Sequence, residues 1–251
     1  MMNHSTNTPN TSSKLTISAR IVALAALPLL LAGCFNTTRT GPLRTEAQTI
    51  QPSGATTAKV NLEMAAGVLK LDGGAAEMAQ ADFAYNVDAW KPVVNYKVTD
   101  GTGNLSIRQP DINTSTLINT RNDWNIRLNS QMLTDLHVSL GAGQSTLNLN
   151  RMALSALNVE CGAGETVIDL SGAWAKSTSV KIVGGVGQLT VRLPKDVGVQ
   201  VKVETGLGST SESGLQKNGN LYTNAAFGTS PVTLNLDIEA GVGEVRLEVA
   251  N

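Results

Sequence analysis

Cysteine, histidine and long apolar runs are scarce in this 251-residue chain, and each scarcity removes a class of function. Two cysteines, Cys34 and Cys161, cannot build a disulfide scaffold. Two histidines, His4 and His137, are too few for a zinc centre with the usual nitrogen and sulfur donors. Basic residues are not in excess: 19 Lys and Arg face 20 Asp and Glu, which excludes a polybasic nucleic-acid binder. The longest apolar run, Ile21 to Leu31, would rise only about 16 Å as a helix, against a hydrocarbon layer of about 30 Å. It cannot span a membrane. Glycine, by contrast, is abundant at 24 residues, and the glycines carry the pattern described below.

Residues 1–20 are polar, with Lys14 and Arg20 as their only fixed charges, so with the apolar run they read as an export signal ending at residue 33. The run closes on Leu31-Ala32-Gly33-Cys34, which resembles the lipobox of bacterial lipoproteins at every position. The resemblance implies that Cys34 receives lipid and becomes the first mature residue. Two or more acyl chains there would anchor the chain stably to a membrane. Phe35, where an aspartate would be the retention signal, implies an outer-membrane destination in an organism that has one. Residues 34–57 are polar, punctuated by Pro and Gly and without an apolar period, as expected of a tether that lifts a folded domain over 58–251 off the bilayer.

That domain repeats one unit, in which apolar residues alternate with polar ones, a glycine turn follows, and the alternation resumes. The second glycine of the turn falls at Gly67, Gly103, Gly143, Gly164, Gly187, Gly208 and Gly243. Six of these seven turns read Gly-x-Gly, and the one beginning at Ala65 is the exception. The Gly164 copy is representative, with Leu157, Val159 and Cys161 before the turn and Ile168 and Leu170 after it. The Gly208 copy has Thr210 and Glu212 where the others are apolar. None of these turns has the third glycine of a dinucleotide fingerprint or the Lys-Ser/Thr of a P-loop, which argues against nucleotide binding.

Intervals of 21 to 23 residues from Gly143 to Gly208 fit successive coils of a stack, so residues about 133–210 are expected to pile up in chain order. The fold class predicted is all-β: a repetitive β-solenoid of short stacked strands with Gly-x-Gly turns and very little helix. An irregular amino-terminal part (58–130) would precede regular repeats (131–251). Trp124, Ile126 and Leu128 predict an extra strand, and Phe83, Tyr85 and Trp90 a further rung with a bulky cap. Tyr222 and Phe227 would seal an irregular turn.

Candidate chemistry is sparse. Strict alternation turns His137 to solvent between inward Leu136 and Val138, and turns Cys161 inward as a small hydrophobe. Ser139, Ser145, Ser171, Ser209, Ser211 and Ser213 lack a nucleophile elbow. Glu160, Glu165, Asp169, Glu204, Glu239, Glu244 and Glu248 lie near the glycine turns and could line one edge of the stack. Two carboxylates across a groove would suit a glycan-acting enzyme. Otherwise they are solvated outward residues. No catalytic residue, metal ligand or cofactor is assigned.

Leu136-His-Val-Ser-Leu-Gly-Ala-Gly-Gln-Ser-Thr-Leu-Asn-Leu, Leu157-Asn-Val-Glu-Cys-Gly-Ala-Gly-Glu-Thr-Val-Ile-Asp-Leu and Val191-Arg-Leu-Pro-Lys-Asp-Val-Gly-Val resemble the toast-rack family of bacterial domains. Phe83-Ala-Tyr-Asn, Trp90-Lys-Pro and Gly103-Asn-Leu-Ser-Ile resemble its amino-terminal part. The family is akin to the C-terminal domain of proteins that respond to cell-wall-active antibiotics. The resemblance implies stacked β-structure and an envelope role, some relatives being linked to envelope stress, and brings no catalytic residues. Taken together, a non-enzymatic envelope lipoprotein is expected. It would be a scaffold or binding module for an envelope protein or cell-wall polymer, with membrane lipid as partner through Cys34 and without nucleic acid or nucleotide. The alternatives are the rim-carboxylate enzyme and a self-associating structural surface protein.

Overall fold

A computed structural model describes residues 40–111 and 119–250; Cys34 and the export signal lie outside the described residues. The chain runs through β1 (Arg44–Ile50), β2 (Thr57–Ala75), β3 (Ala79–Tyr85), a 3₁₀ turn at Asp88–Trp90, β4 (Val93–Thr99), β5 (Thr102–Arg108) and β6 (Asn122–Asn129). It continues through β7 (Leu133–Asn148), β8 (Leu154–Asp169), β9 (Thr178–Leu193), β10 (Gly198–Ser213), β11 (Gln216–Asn218), β12 (Leu221–Thr223) and β13 (Thr233–Val249). All belong to one sheet. Arg44–Ile50, expected to lie within a tether over residues 34–57, instead pairs antiparallel with β3.

Six long strands, β2, β7, β8, β9, β13 and β10, lie side by side, parallel and in register. Each bends at its glycine pair. In β8 the Thr166 hydroxyl donates to the Cys161 sulfur at 3.2 Å, whereas five residues of straight strand would hold them roughly 17 Å apart. The strand has doubled back, giving each rung two arms in two layers. Both arms turn one face into a shared core: in β7, Leu136, Val138 and Leu140 ahead of the corner, and Leu147 beyond it, are buried.

The corners explain the glycines. A Cβ on Gly164 would sit 1.8 Å from the carbonyl oxygen of Gly143, and one on Gly143 would sit 1.9 Å from that of Gly67. Every corner thus occupies the space that a side chain on the next would need, and φ near +130° at these residues excludes other types further. Ala65 escapes because it begins the first intact corner. Below it is no glycine carbonyl but the side chain of Gln109, whose Oε1 accepts from the backbone N–H groups of Ala65 and Ala66 at 3.0 and 3.1 Å.

Two expectations about order are corrected. Gly103 is not a corner: it pairs with Ala58 inside β5, and the adjacent turn is an Asp100-Gly101 hairpin with both φ angles positive. Its rung is nevertheless real but broken. β5 lies beside the first arm of β2 and β6 beside the second, and the missing corner is replaced by Gln109 and Asn122. Nor do the coils from 133 to 210 stack wholly in chain order. β13 inserts between β9 and β10, so the corners run Gly187, Gly243, Gly208. Inward phase is preserved in either arrangement, which is why the repeat spacing does not distinguish them.

Beyond β2, the first layer is completed by β5 and β4 and the second by β6, β3 and β1. Phe83 and Trp124 meet edge to face at 5.5 Å between centroids, and Tyr85 and Trp90 are also buried, so the aromatic cap forms as expected. Trp124, Ile126 and Leu128 of β6 point inward. At the far end, β12 and β11 extend the first layer past β10, where Tyr222 is buried while Phe227 is exposed.

Candidate binding faces

The outward residues of the two arms form rows that cross the rungs. On the first layer one row runs Asn61, His137, Asn158, Lys181, Asp237, Lys202; a second runs Glu63, Ser139, Glu160, Val183, Glu239, Glu204. Lys181 pairs with Glu239 at 3.3 Å and Lys202 with Glu204 at 2.6 Å. The hydrogen-bonded Lys202 ammonium holds the Glu204 carboxyl below its ordinary range and is itself held protonated to higher pH. On the second layer Gln144, Glu165, Gln188, Glu244 and Ser209 make one row. Another contains Asp72, Asn148, Asp169, Arg192 and Glu248.

The carboxylates anticipated on one edge are therefore divided. Glu160, Glu204 and Glu239 face outward from the first layer; Glu165, Asp169, Glu244 and Glu248 face outward from the second. The core and the corner ridge separate them. Glu244 accepts from Arg246, Ser211 and Gln188, contacts that lower its proton affinity, with the Arg246 hydrogen bond foremost. A general acid needs the opposite shift.

His137 faces outward as expected and is half-buried in a surface cleft of about 400 Å³, with Glu63, Arg108, Asp111, Ser139 and Glu160. Its in-register neighbours are Asn61 and Asn158. No group of three His, Cys, Asp or Glu able to hold a metal occurs among the described residues. Cys161 has the expected inward phase but lies so near the corner that it stays half-buried; burial pushes its thiol up, against the direction of a reactive thiolate. Ser145 is buried and donates to Thr166 at 2.9 Å, filling the narrow space under the corner. Ser209, Ser211 and Ser213 are exposed on the second arm of β10.

At the middle position of each corner one side chain projects outward, and the six form a ridge: Ala66, Ala142, Ala163, Val186, Val242, Leu207. It grows more apolar toward β10, where Leu207 is 76% exposed. Past Val203 no strand pairs with the outer edge of β10 among the described residues. Glu212 occupies the core phase there, opposite Leu247, and charge in that position discourages addition of another strand. No helix among the described residues is long and apolar enough to cross a membrane.

Residues 39–192 match the N-terminal domain of toast_rack, DUF2154. The chain belongs to the toast-rack family. Residues 139–247 also match the C-terminal domain of the cell wall-active antibiotics response protein LiaF, a segment that contains the toast-rack corners from Gly143 to Gly243. The crystal structure of a candidate cell-adhesion protein from Clostridium sporogenes ATCC 15579 is 35% identical, with a TM-score of 0.80 over 83% of this chain and 100% of that one. A candidate adhesin from Bacteroides fragilis NCTC 9343, 12% identical over 82% of this chain and 97% of that one, has a TM-score of 0.31 and carries no argument. No curated protein matches.

Sequence reasoning missed the polar pair that stands in for the corner of the broken rung. The Asn122 side-chain amide donates to Ala66 O and to Gln109 Oε1, and its Oδ1 accepts from the Trp124 indole. Gln109 is followed by Pro110, a sign that a strand ends, but nothing local marks either side chain as buried.

Proposed function

We propose that this chain is a non-enzymatic lipoprotein of the bacterial envelope, exported, acylated on Cys34, and carrying a rigid β-stack that binds an envelope protein or cell-wall polymer. The observation that carries this reading is the pair of broad, in-register outer faces, taken with the resemblance of Leu31-Ala32-Gly33-Cys34 to a lipobox. The 35% identity to a candidate cell-adhesion protein and the LiaF-like match support an envelope role. The lowered proton affinity of Glu204 and Glu244, opposite to what the general acid of a glycan hydrolase needs, supports binding over hydrolysis. Phe35 supports delivery to the outer membrane where one exists.

Crosslinking in intact cells followed by mass spectrometry tests the reading. The expected result is a reproducible envelope partner or polymer adduct that is lost when Cys34→Ser releases the chain from the membrane. Absence of any such adduct, or a Cys34→Ser chain that stays membrane-bound, contradicts it.

A further inference from the structure

The edge of the stack opposite the glycine ridge is built from the connections between rungs. The turn after β6, the link between β7 and β8 and the link between β8 and β9 together line a groove of about 560 Å³, to which Ser130, Asn150, Arg151, Met152, Trp174 and Lys176 contribute. Its walls are held in place before any ligand arrives. A Cβ on Gly172 would lie 1.7 Å from the carbonyl oxygen of Asn150, so one link is pressed directly on the other. The Trp174 indole N–H donates to Leu170 O at 3.0 Å, and its half-buried ring packs against the core. Asn150 donates to Asp169 Oδ2 at 2.9 Å, and the backbone N–H of Ser171 donates to Asp169 Oδ1 at 2.9 Å.

Two features of this groove are unmatched within the chain. Arg151 and Lys176 are exposed and form no ion pair among the described residues, and no carboxylate lines the groove with them. The Ser130 hydroxyl is buried without a hydrogen-bond partner. An indole offers an apolar surface to the C–H face of a sugar or polyol. A guanidinium and an ammonium on either side offer donors to carboxylate or phosphate. No free strand edge runs through these links, so a peptide would find none of the backbone pairing by which extended chains are usually held.

We propose that this groove binds a polyhydroxylated anionic polymer, with Trp174 against its carbon skeleton and Arg151 and Lys176 on its acidic groups. The inference rests on the envelope-binding reading above and gives it a ligand class and a site.

The test uses the full-length protein in detergent micelles, titrated with polygalacturonate, poly(glycerol phosphate), dextran and polyglutamate at low and high salt. Saturable, salt-sensitive binding of polygalacturonate or poly(glycerol phosphate) is expected, and whichever binds tighter identifies carboxylate or phosphate as the natural acidic group. The double substitution Arg151→Gln with Lys176→Gln, both on exposed residues, should weaken it roughly ten-fold without changing the unfolding transition. Trp174→Phe should weaken it further while keeping the ring packed. Binding of neither anionic polymer, equal binding of dextran or polyglutamate, or full affinity in the double variant overturns the proposal. Crosslinking to an envelope protein in intact cells would survive such a failure, so the groove and the broader function fail separately.

Discussion

Each corner glycine is required by the carbonyl of the corner before it, so the cost of a side chain depends on position in the stack. Gly164→Ala places a Cβ where Gly143 O already lies, at a φ of +132°. Urea unfolding should show a loss of about 3 kcal/mol or more. Ala65→Gly, at the one corner with no glycine carbonyl below it, should change stability by no more than about 1 kcal/mol. Gln109→Ala should cost about 2 to 3 kcal/mol, because it strands the N–H groups of Ala65 and Ala66. Tyr85 gives a pH signature. Burial, assisted by its hydrogen bond to Glu46, pushes the phenol up to about 12. A raised folded-state value means that this contribution is intact below the unfolded value of about 10 and disappears as pH rises through 12. Unfolding free energies measured across that range should fall in the wild type, and less steeply in Tyr85→Phe.

At the scale of elements, period-two alternation and glycine pairs made the arms of the long strands legible, because the same side chains that bury one face create the pattern. Trp124, Ile126 and Leu128 declared β6 in that way. The broken rung was not legible at its corner. Gly103 sits in the same kind of alternating frame as the true corners, and only the tertiary position of Gln109 and Asn122 shows where the bend would have been. β1 was missed because three of its four core-phase residues, Arg44, Glu46 and Gln48, are polar and only Ile50 is apolar; an outermost strand with charges in its core phase loses the apolar period that would reveal it. The second arm of β10 at the other end carries the same signature in Glu212. That reading predicts that Glu212→Val, which restores an apolar core-phase residue to the open edge, promotes concentration-dependent association in sedimentation velocity, while the wild type stays monomeric over the same range. Unchanged sedimentation of the variant would show that Glu212 is not a guard. The groove at Trp174 was invisible because it is assembled from three connections that share no motif.

For the whole molecule, every face described depends on which rungs are neighbours, and there chain order and spatial order part. Four residues, Pro194 to Val197, join β9 to β10, and they can span roughly 13 Å, enough to skip one strand and leave room for β13. The direct test is a dipolar measurement between nitroxide labels on outward residues of one row. Labels replacing Lys181 and Asp237 should sit one strand spacing apart, about 5 Å between backbones, and labels replacing Lys181 and Lys202 two spacings apart, about 10 Å. Stronger dipolar broadening for the first pair is the predicted result; stronger broadening for the second would place β10 beside β9 and contradict the stack described here.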